Sequence, residues 1–336
     1  MTSRPDEATM RTAIFLACRA PSIHNSQPWL WRINDHTIEL HADRSRHLTG
    51  ADSRGRDLVM SCGAALHHLQ VALAAAGWAP RVHRLPDPDN SDHLATVGMS
   101  DVVPYDDHVR LAAAIPRRRA ERRALSSWEV PAQHLQILAD VAQECGALLA
   151  AATDATVRVQ LVEAFVEAAT RQNYDPAYQA ELAYWSGRGE FSDDGVPAAN
   201  ALELGQPSDR TMREFPAGQA VDGDLEADRE TAGELMVLAS TSDDLRSQLL
   251  TGEALSAVLL TAASIGLASC PLTQPLEVVK TRAFIQDELL GGTWTPQVLV
   301  RVGWLPLSLP PLPETPRRRL DDVLTVNAGR DRHRTG

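Results

Sequence analysis

GAALHHLQVALAAAGWA, residues 63–79, has a counterpart in GEALSAVLLTAASIGLA, residues 252–268. The two stretches align without a gap, with Gly63 opposite Gly252 and Gly77 opposite Gly266. Both are apolar on most sides, which predicts two helices buried in a core. Both also end at a glycine placed where a left-handed C-cap would form. Chance similarity between two helices rich in Ala and Leu is the alternative to an internal repeat.

Similar strand-like segments follow the two helices. LATVGM at 94–99 and VLVRVGW at 298–304 each carry a Val-Gly pair near their end. If the repeat is genuine, the chain consists of two pseudo-symmetric α+β halves joined end to end. We place the first half at 1–108 and the second at 109–330, followed by a flexible tail at 331–336.

Two further elements can be predicted inside these halves. In the first half, WLWRI and TIELHA flank the turn NDH, a pattern typical of a β-hairpin. In the second half, Leu135, Leu138, Val141 and Ala142 recur at helical spacing after Pro131, which predicts a helix with the proline near its first turn.

The composition is that of a globular protein, because 44% of the 336 residues are hydrophobic and 23% are charged. The chain lacks a run of about 18 uninterrupted apolar residues. Its start, MTSRPDEATM, lacks the basic and apolar regions of a secretory signal. Four widely separated cysteines show no spacing that suits zinc. We therefore expect reduced thiols in a cytoplasmic protein without a membrane segment.

Acidic side chains outnumber basic ones, 44 to 32, so the formal net charge is −12. Such a chain repels nucleic acid and acidic membranes on average, and we expect neither as a partner. Lys280 is the only lysine. Nearly every positive charge is therefore a guanidinium, the group best suited to bidentate oxyanion binding.

Arginines are concentrated in RRRAERR at 117–123 and RRR at 317–319. At helical pitch Arg118 shares a face with Arg122, and Arg119 shares one with Arg123. A solvated face that pairs with acidic residues is one interpretation, and nucleic-acid binding is a weaker one. Convergence of both clusters on one oxyanion is the third, with roughly 1.5–3 kcal/mol from each charged hydrogen bond.

The segment IGLASCPLTQPLE, 265–277, predicts a helix end, a turn of small residues and two prolines. Such a turn exposes backbone N–H groups that a flat heteroaromatic ring can approach, although an ordinary connection has the same signature. The sequence contains no GxGxxG after a strand and no Walker A, GxSxG or HExxH motif. These absences argue against dinucleotide-domain, P-loop, hydrolase and zinc-protease classes.

From about 172 to 230 the sequence becomes rich in Gly, Pro and Asp and poor in aliphatic residues. A segment of this kind is either a functional lid or a disordered insertion. Its aromatic residues Tyr178, Tyr184, Trp185 and Phe191 favour a lid that packs on the rest of the protein. We call residues 172–230 the lid segment.

The motifs of this chain resemble the nitroreductase family of FMN proteins, and above all its Acg-type branch of dormancy-associated proteins, in which two nitroreductase halves are fused. The resemblance rests on motifs in the family's order: APSIHNSQPW, SCGAAL, IPRRRAERR, TGEALSAVLLTAASIGLASCPLTQPLE, PQVLVRVGW and TPRRRLDDVL. The set covers most of the chain outside the lid segment. It implies the nitroreductase-like α+β fold, with the two halves forming an internal dimer.

In that family the FMN lies between two subunits, one of which supplies the PSxxNxQPW segment. The resemblance implies that the first half contributes Pro21, Ser22, Ile23 and Asn25 to a flavin held by the second half. In the second half it implies Arg118 and Arg119 at the phosphate, Arg122 near the N1–C2=O edge, Pro271, Leu272 and Thr273 near N5, and Arg317 and Arg318 closing on the phosphate. The Thr273 N–H is the expected donor to the ring.

Only one complete flavin site can be assembled from these motifs. A second PSxxNxQPW segment in the latter half and an RRxxxRR run before Ala20 are both missing, which predicts one FMN per chain. The fusion also implies a monomer, because it buries the family's usual dimer interface. Ala120 stands where the family commonly has Ser or Thr, and Thr315 stands where many members have Lys. Both departures weaken the implied cofactor contacts.

The resemblance implies an oxidoreductase in which NAD(P)H reduces the flavin and the flavin reduces a nitroaromatic or quinone by ping-pong transfer. Arg122 would then stabilise the negative charge that reduction places at N1–C2=O. A flavin-sequestering protein, with the lid segment over the ring and little turnover, is the main alternative. A structural or interaction protein without flavin is a third possibility.

Overall fold

The computed structural model describes residues 4–188, 192–202, 210–216, 218–220 and 233–327. The helices are α1 Glu7–Ala17, α2 Arg56–Ala75, α3 Asp106–Ala114, α4 Ala132–Glu144, α5 Ala155–Asn173, α6 Pro176–Trp185, α7 Leu245–Ser264, α8 Gln274–Glu277, α9 Val279–Phe284 and α10 Leu320–Val323. The strands are β1 Trp29–Asn34, β2 Thr37–Ala42, β3 Trp78–Arg84, β4 His93–Asp101, β5 Leu148–Ala151, β6 Ser186–Arg188, β7 Val196–Pro197, β8 Glu234–Ser240, β9 Ala268–Leu272, β10 Thr295–Gly303 and β11 Leu324–Asn327. The predicted α+β class is confirmed.

The first sheet has the strand order β11-β1-β2-β4-β3. The predicted hairpin is confirmed, because β1 and β2 pair antiparallel with Trp31 opposite Leu40. Side chains alternate between the two faces of a strand. One face of the hairpin therefore buries Trp29, Trp31, Ile38 and Leu40 completely in a cluster with α1 and α2.

The second sheet has the order β5-β8-β10-β9. Every residue of β10 after Thr295 is buried, the polar Gln297 and Arg301 included. Strand β9 lies at the edge of this sheet, which is where a strand can hold a proline that lacks an N–H group. Pro271 takes that position, opposite Val300 of β10.

Helices α2 and α7 are the two predicted core helices, and they pack against each other at their aligned glycines. A Cβ atom on Gly63 would lie 2.2 Å from the carbonyl oxygen of Leu249, and one on Gly252 would lie 2.1 Å from that of Met60. The helix axes can approach this closely only because neither position carries a side chain. Gly77 and Gly266 have φ angles of 88° and 87°, which confirms both predicted left-handed caps.

Helix α2 is long and apolar enough to cross a membrane by length and composition alone. However, 83% of its most apolar window is buried inside the protein. The central helix of a globular core has the same composition, and α2 contacts the first sheet on one side and α7 on the other.

The end of the described chain returns to the first sheet. After β10 the chain leaves the second sheet, and β11 pairs parallel to β1 with Leu324 opposite Trp31. The segment 304–323 therefore passes from one half to the other. The boundary at residue 108 and the pseudo-symmetry of the halves stay predictions; the sheets have five and four strands.

The run 117–123 is not helical, so the predicted helical pairing of its arginines is wrong. Helix α3 ends at Ala114, and Pro116 has no N–H group with which to continue it. The chain is then extended, and Ala120 forms a parallel bridge with Ser269 of β9. The N–H group of Glu121 donates to the carbonyl oxygen of Ser269 at 2.9 Å.

The lid segment contains more regular structure than its composition indicates. It includes the end of α5 and all of α6, whose residues Tyr178, Leu182 and Trp185 pack in a buried cluster with Leu48 and Ala51 of the first half. The carboxylate of Glu181 accepts hydrogen bonds from the N–H groups of Gly50 and Ala51.

A second contact holds the lid segment on the first half. Arg46 pairs with Asp194, and its guanidinium carbon lies 5.3 Å from the centre of the Trp185 ring. Tyr184, by contrast, is 63% exposed. Phe191, much of 203–230 and the predicted flexible tail lie outside the described residues.

Candidate functional site

A deep cleft lies between the two halves of the described chain. Its free volume is about 1110 Å³, open solvent at the mouth included. The walls come from the segment after α1, the first turns of α2, the arginine run, the end of β9, the described part of the lid segment and the chain near Thr315. A concave cleft with a few convergent polar groups is the usual form of a small-molecule site.

The structure brings most of the predicted site residues to this cleft. Those that line it are Pro21, Ser22, Ile23, Asn25, Arg118, Arg122, Pro271, Leu272, Thr273 and Arg317. Arg119 and Arg318 do not. These residues come from four distant parts of the sequence, so the fold assembles them as the motif order predicts.

The PSIHN segment forms a tight turn with an uncommon backbone. His24, Asn25 and Gln27 have positive φ angles of 46°, 55° and 51°. Such angles are sparsely populated for residues other than glycine and persist only where surrounding contacts impose them. The N–H group of Ile23 donates to Ser61 Oγ at 3.1 Å, and that of Gln27 donates to Ser22 Oγ at 3.0 Å.

The same turn is tied to the lid segment and to the chain near Thr315. The amide of Asn25 donates to the carbonyl oxygens of Gly195 and Pro316. The amide of Gln27 donates to the carbonyl oxygen of Asp193 at 2.8 Å. Polar side chains in this motif therefore hold three segments together at the mouth of the cleft.

One end of the cleft is positively charged. Arg118 is 6% exposed, its Nη2 donates only a long hydrogen bond of 3.4 Å to the carbonyl oxygen of Arg19, and its Nε has no partner within the described residues. Burial and the neighbouring Arg119 and Arg19 lower the pKa of Arg118 to about 10. A buried guanidinium without a carboxylate beside it favours an anion.

Arg317 lies beside Arg118, but its donors are already in use. Its guanidinium donates to the carbonyl oxygens of Cys18, Arg19, Ala20, Thr315 and Pro316. Burial, followed by the Arg118 charge, lowers its pKa to about 9. Arg317 thus fixes the turn around residue 19 and adds positive charge at this end, while Arg118 holds the donors that remain available.

The placement of Arg119 and Arg318 at the anion end is not observed. Arg119 pairs with Glu314 at 3.4 Å and donates to the carbonyl oxygens of Pro116 and Arg118. Arg318 pairs with Asp43 at 3.3 Å and bonds Gln27 through its backbone N–H. In an extended chain, successive side chains point to opposite sides, so Arg119 faces away from Arg118.

At the other end of the cleft, Arg122 lies against the lid segment. Its guanidinium donates to the carbonyl oxygen of Asn200 at 2.9 Å and lies 5.0 Å from the centre of the Phe215 ring. Burial lowers the pKa of Arg122. Among the described residues this cation has no carboxylate partner at salt-bridge distance.

The cleft wall also includes residues that were not predicted from the sequence, among them His24, Asp57, Asn200, Arg213 and Phe215. His24 packs edge-on against Phe215 at 5.6 Å, and burial holds the pKa of the His24 imidazole well below its usual value. Only His24 lies inside one of the quoted motifs, APSIHNSQPW, and there it was not singled out. Asn200, Arg213 and Phe215 lie in the lid segment, which is rich in Gly, Pro and Asp. Asp57 lies in the first turn of the largely apolar helix α2.

Several polar atoms in this wall have no partner within the described chain. They are both ring nitrogens of His24, Oδ2 of Asp57, Nε of Arg118 and Oδ1 of Asn200. A buried polar atom left without a hydrogen bond costs about 1–3 kcal/mol. Four residues that carry this cost in one cleft indicate that a polar ligand completes their hydrogen bonds.

Comparison with known proteins was made by family scan, by sequence and by structure. The scan against protein-family models finds no match. In Mycobacterium tuberculosis, the protein named "Putative NAD(P)H nitroreductase Rv3131" is 44% identical over 325 residues, which cover 96% of this chain and 93% of that protein. "Putative NAD(P)H nitroreductase acg" of the same organism is 38% identical over 333 residues, 95% and 96% of the two chains.

Solved structures give a more distant likeness. The FMN-dependent nitroreductase NfnB from Mycobacterium smegmatis, in complex with NADPH, is 16% identical with a TM-score of 0.43 and covers 66% of this chain and 100% of its own. A nitroreductase with bound FMN from Bacteroides fragilis is 15% identical with a TM-score of 0.38, covering 66% and 96%. Family membership rests on the two mycobacterial sequences. This chain belongs to the nitroreductase family, together with Acg and Rv3131.

Proposed function

We propose that the chain binds one FMN in the cleft and uses NAD(P)H for the two-electron reduction of a nitroaromatic or a quinone. The observation that carries this proposal is the pair of adjacent arginines, Arg118 and Arg317, at one end of a cleft lined with unpartnered polar atoms. FMN has a phosphate for the charged end and a polar ring edge for the other. The names of the two mycobacterial relatives support the same assignment.

The residues present fit this cofactor. Arg118 would hold the phosphate directly, and Arg317 would add charge and keep the turn at Arg19 in place. Pro271, Leu272 and Thr273 would face the ring at the free edge of β9. The PSIHN turn would close the cleft from the first half. When bound, FMN supplies hydride chemistry, and the protein supplies orientation and electrostatics.

Arg122 has a defined electrostatic task in such a site. A fixed cation in a region shielded from water stabilises negative charge that develops nearby. Its contacts with Asn200 and Phe215 keep the guanidinium in one position. Ala120 has no hydroxyl to offer the cofactor, and its backbone bridge to Ser269 holds the loop at the cleft.

An absorption spectrum of the purified protein tests this proposal, taken before and after FMN is added and then after anaerobic addition of NADPH. We expect a flavin band at a ratio near one flavin per chain, bleaching by NADPH, and recovery of the band when a nitroaromatic is mixed in. A ratio near two would contradict the single site. Colourless protein after an FMN soak would contradict flavin binding altogether.

A flavin-sequestering role is the second candidate, and one observation favours it. Asn200 and Phe215 of the lid segment lie directly on Arg122 inside the cleft. A nicotinamide that approaches the ring from this side would have to displace them. A yellow protein that NADPH fails to bleach would support storage and contradict reductase activity.

We also propose that the protein acts as a monomer in the cytoplasm, without nucleic-acid or membrane partners. The support is the contact of both halves within one chain, the negative net charge of −12 and the four free cysteines. Sedimentation at several protein concentrations checks the oligomeric state, and a dimer would contradict it.

A further inference from the structure

Five charged side chains lie together beside the cleft. They are Asp52, Arg56, Asp57, Arg213 and Glu277, and the side chain of each is at most 9% exposed. Arg56 and Asp57 begin α2, Glu277 ends α8, and Arg213 belongs to the lid segment. Among these groups, Arg213 and Asp57 line the cleft itself.

Within this group, one oxygen atom remains without a partner. Arg56 donates from Nε and Nη2 to Oδ1 of Asp57, at 3.1 and 3.0 Å. Its Nη1 donates to the carbonyl oxygen of Leu276, just after the end of β9. The other carboxyl oxygen of Asp57, Oδ2, is buried and has no hydrogen-bond partner within the described residues.

The neighbouring carboxylates, in contrast, accept the following hydrogen bonds. Glu277 accepts hydrogen bonds from Thr273 Oγ1, from Gln172 and from the guanidinium of Arg213. Asp52 accepts a hydrogen bond from the N–H group of Leu58 at 2.8 Å. Asp57 is therefore the carboxyl group of this cluster that has an unpartnered oxygen, and it belongs to a residue that lines the cleft.

The charge balance of the group favours a bound proton. Three carboxyl groups, Asp52, Asp57 and Glu277, share the region with two guanidinium groups, Arg56 and Arg213. Like charges that crowd a buried site hold a proton on one of them. Two further titratable groups adjoin the cluster: the Tyr178 hydroxyl accepts a hydrogen bond from Arg213, and His47 lies 4.0 Å from the Asp52 carboxylate and bonds the Asp52 carbonyl oxygen.

The pKa of Asp57 agrees with this count. Burial raises it to about 7, the Arg56 charge lowers it, and the negative charges of Asp52 and Glu277 raise it again. An acid whose pKa lies near the working pH can release and regain a proton in each cycle.

We propose that Asp57 is the proton donor of the cleft, and that its unpartnered Oδ2 carries the proton an electron acceptor takes up when it is reduced. This proposal rests on the proposed reductase function. A quinone that becomes a hydroquinone gains a hydride, derived from the reduced nicotinamide through FMN, and one further proton. The O–H bond of Asp57 breaks, an O–H bond forms on the acceptor, and the carboxylate regains its proton from water.

The experiment compares Asp57→Asn with Asp35→Asn, the same chemical change at an exposed turn. In Asp57→Asn, the rate of flavin bleaching by NADPH should change by much less than the rate of the oxidation step that follows. Its oxidation by a quinone should slow by about 10²-fold, the range typical of general acid catalysis. The pH dependence of that step near pH 7 should disappear. Asp57→Glu should restore part of the rate and the pH dependence.

An infrared measurement tests the same residue without turnover. At pH 6 the wild-type protein and Asp35→Asn should show the C=O stretching band of a buried protonated carboxyl group, and Asp57→Asn should lack it. Quinone oxidation of Asp57→Asn at the wild-type rate and pH profile, or an infrared band that persists in this variant, would overturn the proposal. A wild-type protein that NADPH does not reduce would instead overturn the reductase function.

Discussion

The Cα atom of Gly252 lies 2.9 Å from the position that a Cβ on Gly63 would occupy. The two glycines belong to the helices that connect the halves, so this contact sets the distance between the two sheets. The cleft opens beside it, since Met60 and Ser61 of α2 and Leu255 of α7 line its wall.

Gly63→Ala is expected to destabilise the protein by about 1–3 kcal/mol, the usual cost of overpacking a core. The added methyl group would overlap the Leu249 carbonyl oxygen, and backbone cannot move aside as a flexible side chain can. Urea unfolding measures the effect as a lower midpoint. Gly98→Ala is the matched control, because a Cβ there meets nothing within 4 Å. Equal midpoints for both variants would contradict the close helix contact.

Arg118→Ala is expected to weaken FMN binding by about 10- to 100-fold, which corresponds to the roughly 1.5–3 kcal/mol of one or more charged hydrogen bonds. Arg117→Ala is the control. The Arg117 side chain is next to Arg118 in the sequence, but it is exposed and donates to the carbonyl oxygen of Ala113. Fluorescence titration with FMN measures both. Full flavin retention in Arg118→Ala would contradict the assignment of the phosphate end.

Riboflavin lacks the phosphate, so its affinity reports on the ring contacts apart from the phosphate contact. Arg118→Ala should leave riboflavin affinity close to that of the wild type, because the lost contact is to the phosphate alone. Arg119→Ala and Arg318→Ala should change FMN affinity far less than Arg118→Ala, since those side chains pair with Glu314 and Asp43. If either variant lost as much FMN affinity as Arg118→Ala, that result would support the phosphate contact that the family resemblance implies for the arginine concerned.

Phe215→Ala is expected to speed bleaching of the flavin by NADPH severalfold. Phe215 is 3% exposed and contacts both His24 and Arg122 inside the cleft, so its removal opens space for the nicotinamide. Stopped-flow absorbance gives the rate. Tyr184→Ala, at an exposed aromatic of the same segment, should leave it unchanged. An unchanged rate in Phe215→Ala would show that the lid segment does not limit access.

Acid is expected to weaken the junction between α9 and the loop that precedes α7. Asp243 bonds both terminal nitrogens of Arg282, at 2.8 and 2.9 Å. Despite the opposing effect of burial, the bonds and charge of Arg282 lower the Asp243 pKa to about 2 from 3.8. Folding favours the ionised Asp243 carboxylate. Its contribution to the free energy of unfolding is therefore complete above pH 4 and is lost as the pH falls toward 2.

Unfolding measured at pH 6, 4, 3 and 2 checks this expectation against Asp243→Asn. The difference in stability between wild type and variant should shrink as the pH falls. A constant difference over that range would mean that the pair does not contribute through its charge.

The sequence was informative about long elements and about the set of residues at the cleft. The hairpin, the two core helices and their glycine caps follow from periodicity and turn chemistry, which act over a few residues. The expected site residues followed from the family resemblance. Ten of these twelve residues line the cleft. Spacing alone could not have joined PSIHN to Arg118, because the chain between them is long.

What the sequence could not predict depends on contacts between distant segments. The arginine run reads as helical, but its pairing with Ser269 overrides local propensity. Arg119 and Arg318 have the same residue type as Arg118, and only Glu314 and Asp43 distinguish them. In the sequence, Asp57 looks like an ordinary acidic residue in the first turn of a helix. Only the structure shows that Arg56 binds one of its carboxyl oxygens and leaves the other without a partner among the described residues.

The return of β11 to β1 has a consequence for how the polypeptide is made. A ribosome releases β1 long before the strand that covers its outer side, because β11 lies far downstream in the chain. Until then, the backbone groups on that side of β1 can pair with any extended chain nearby, including another growing copy. Chaperone protection of the nascent N-terminal region is therefore most important during the interval between these two events.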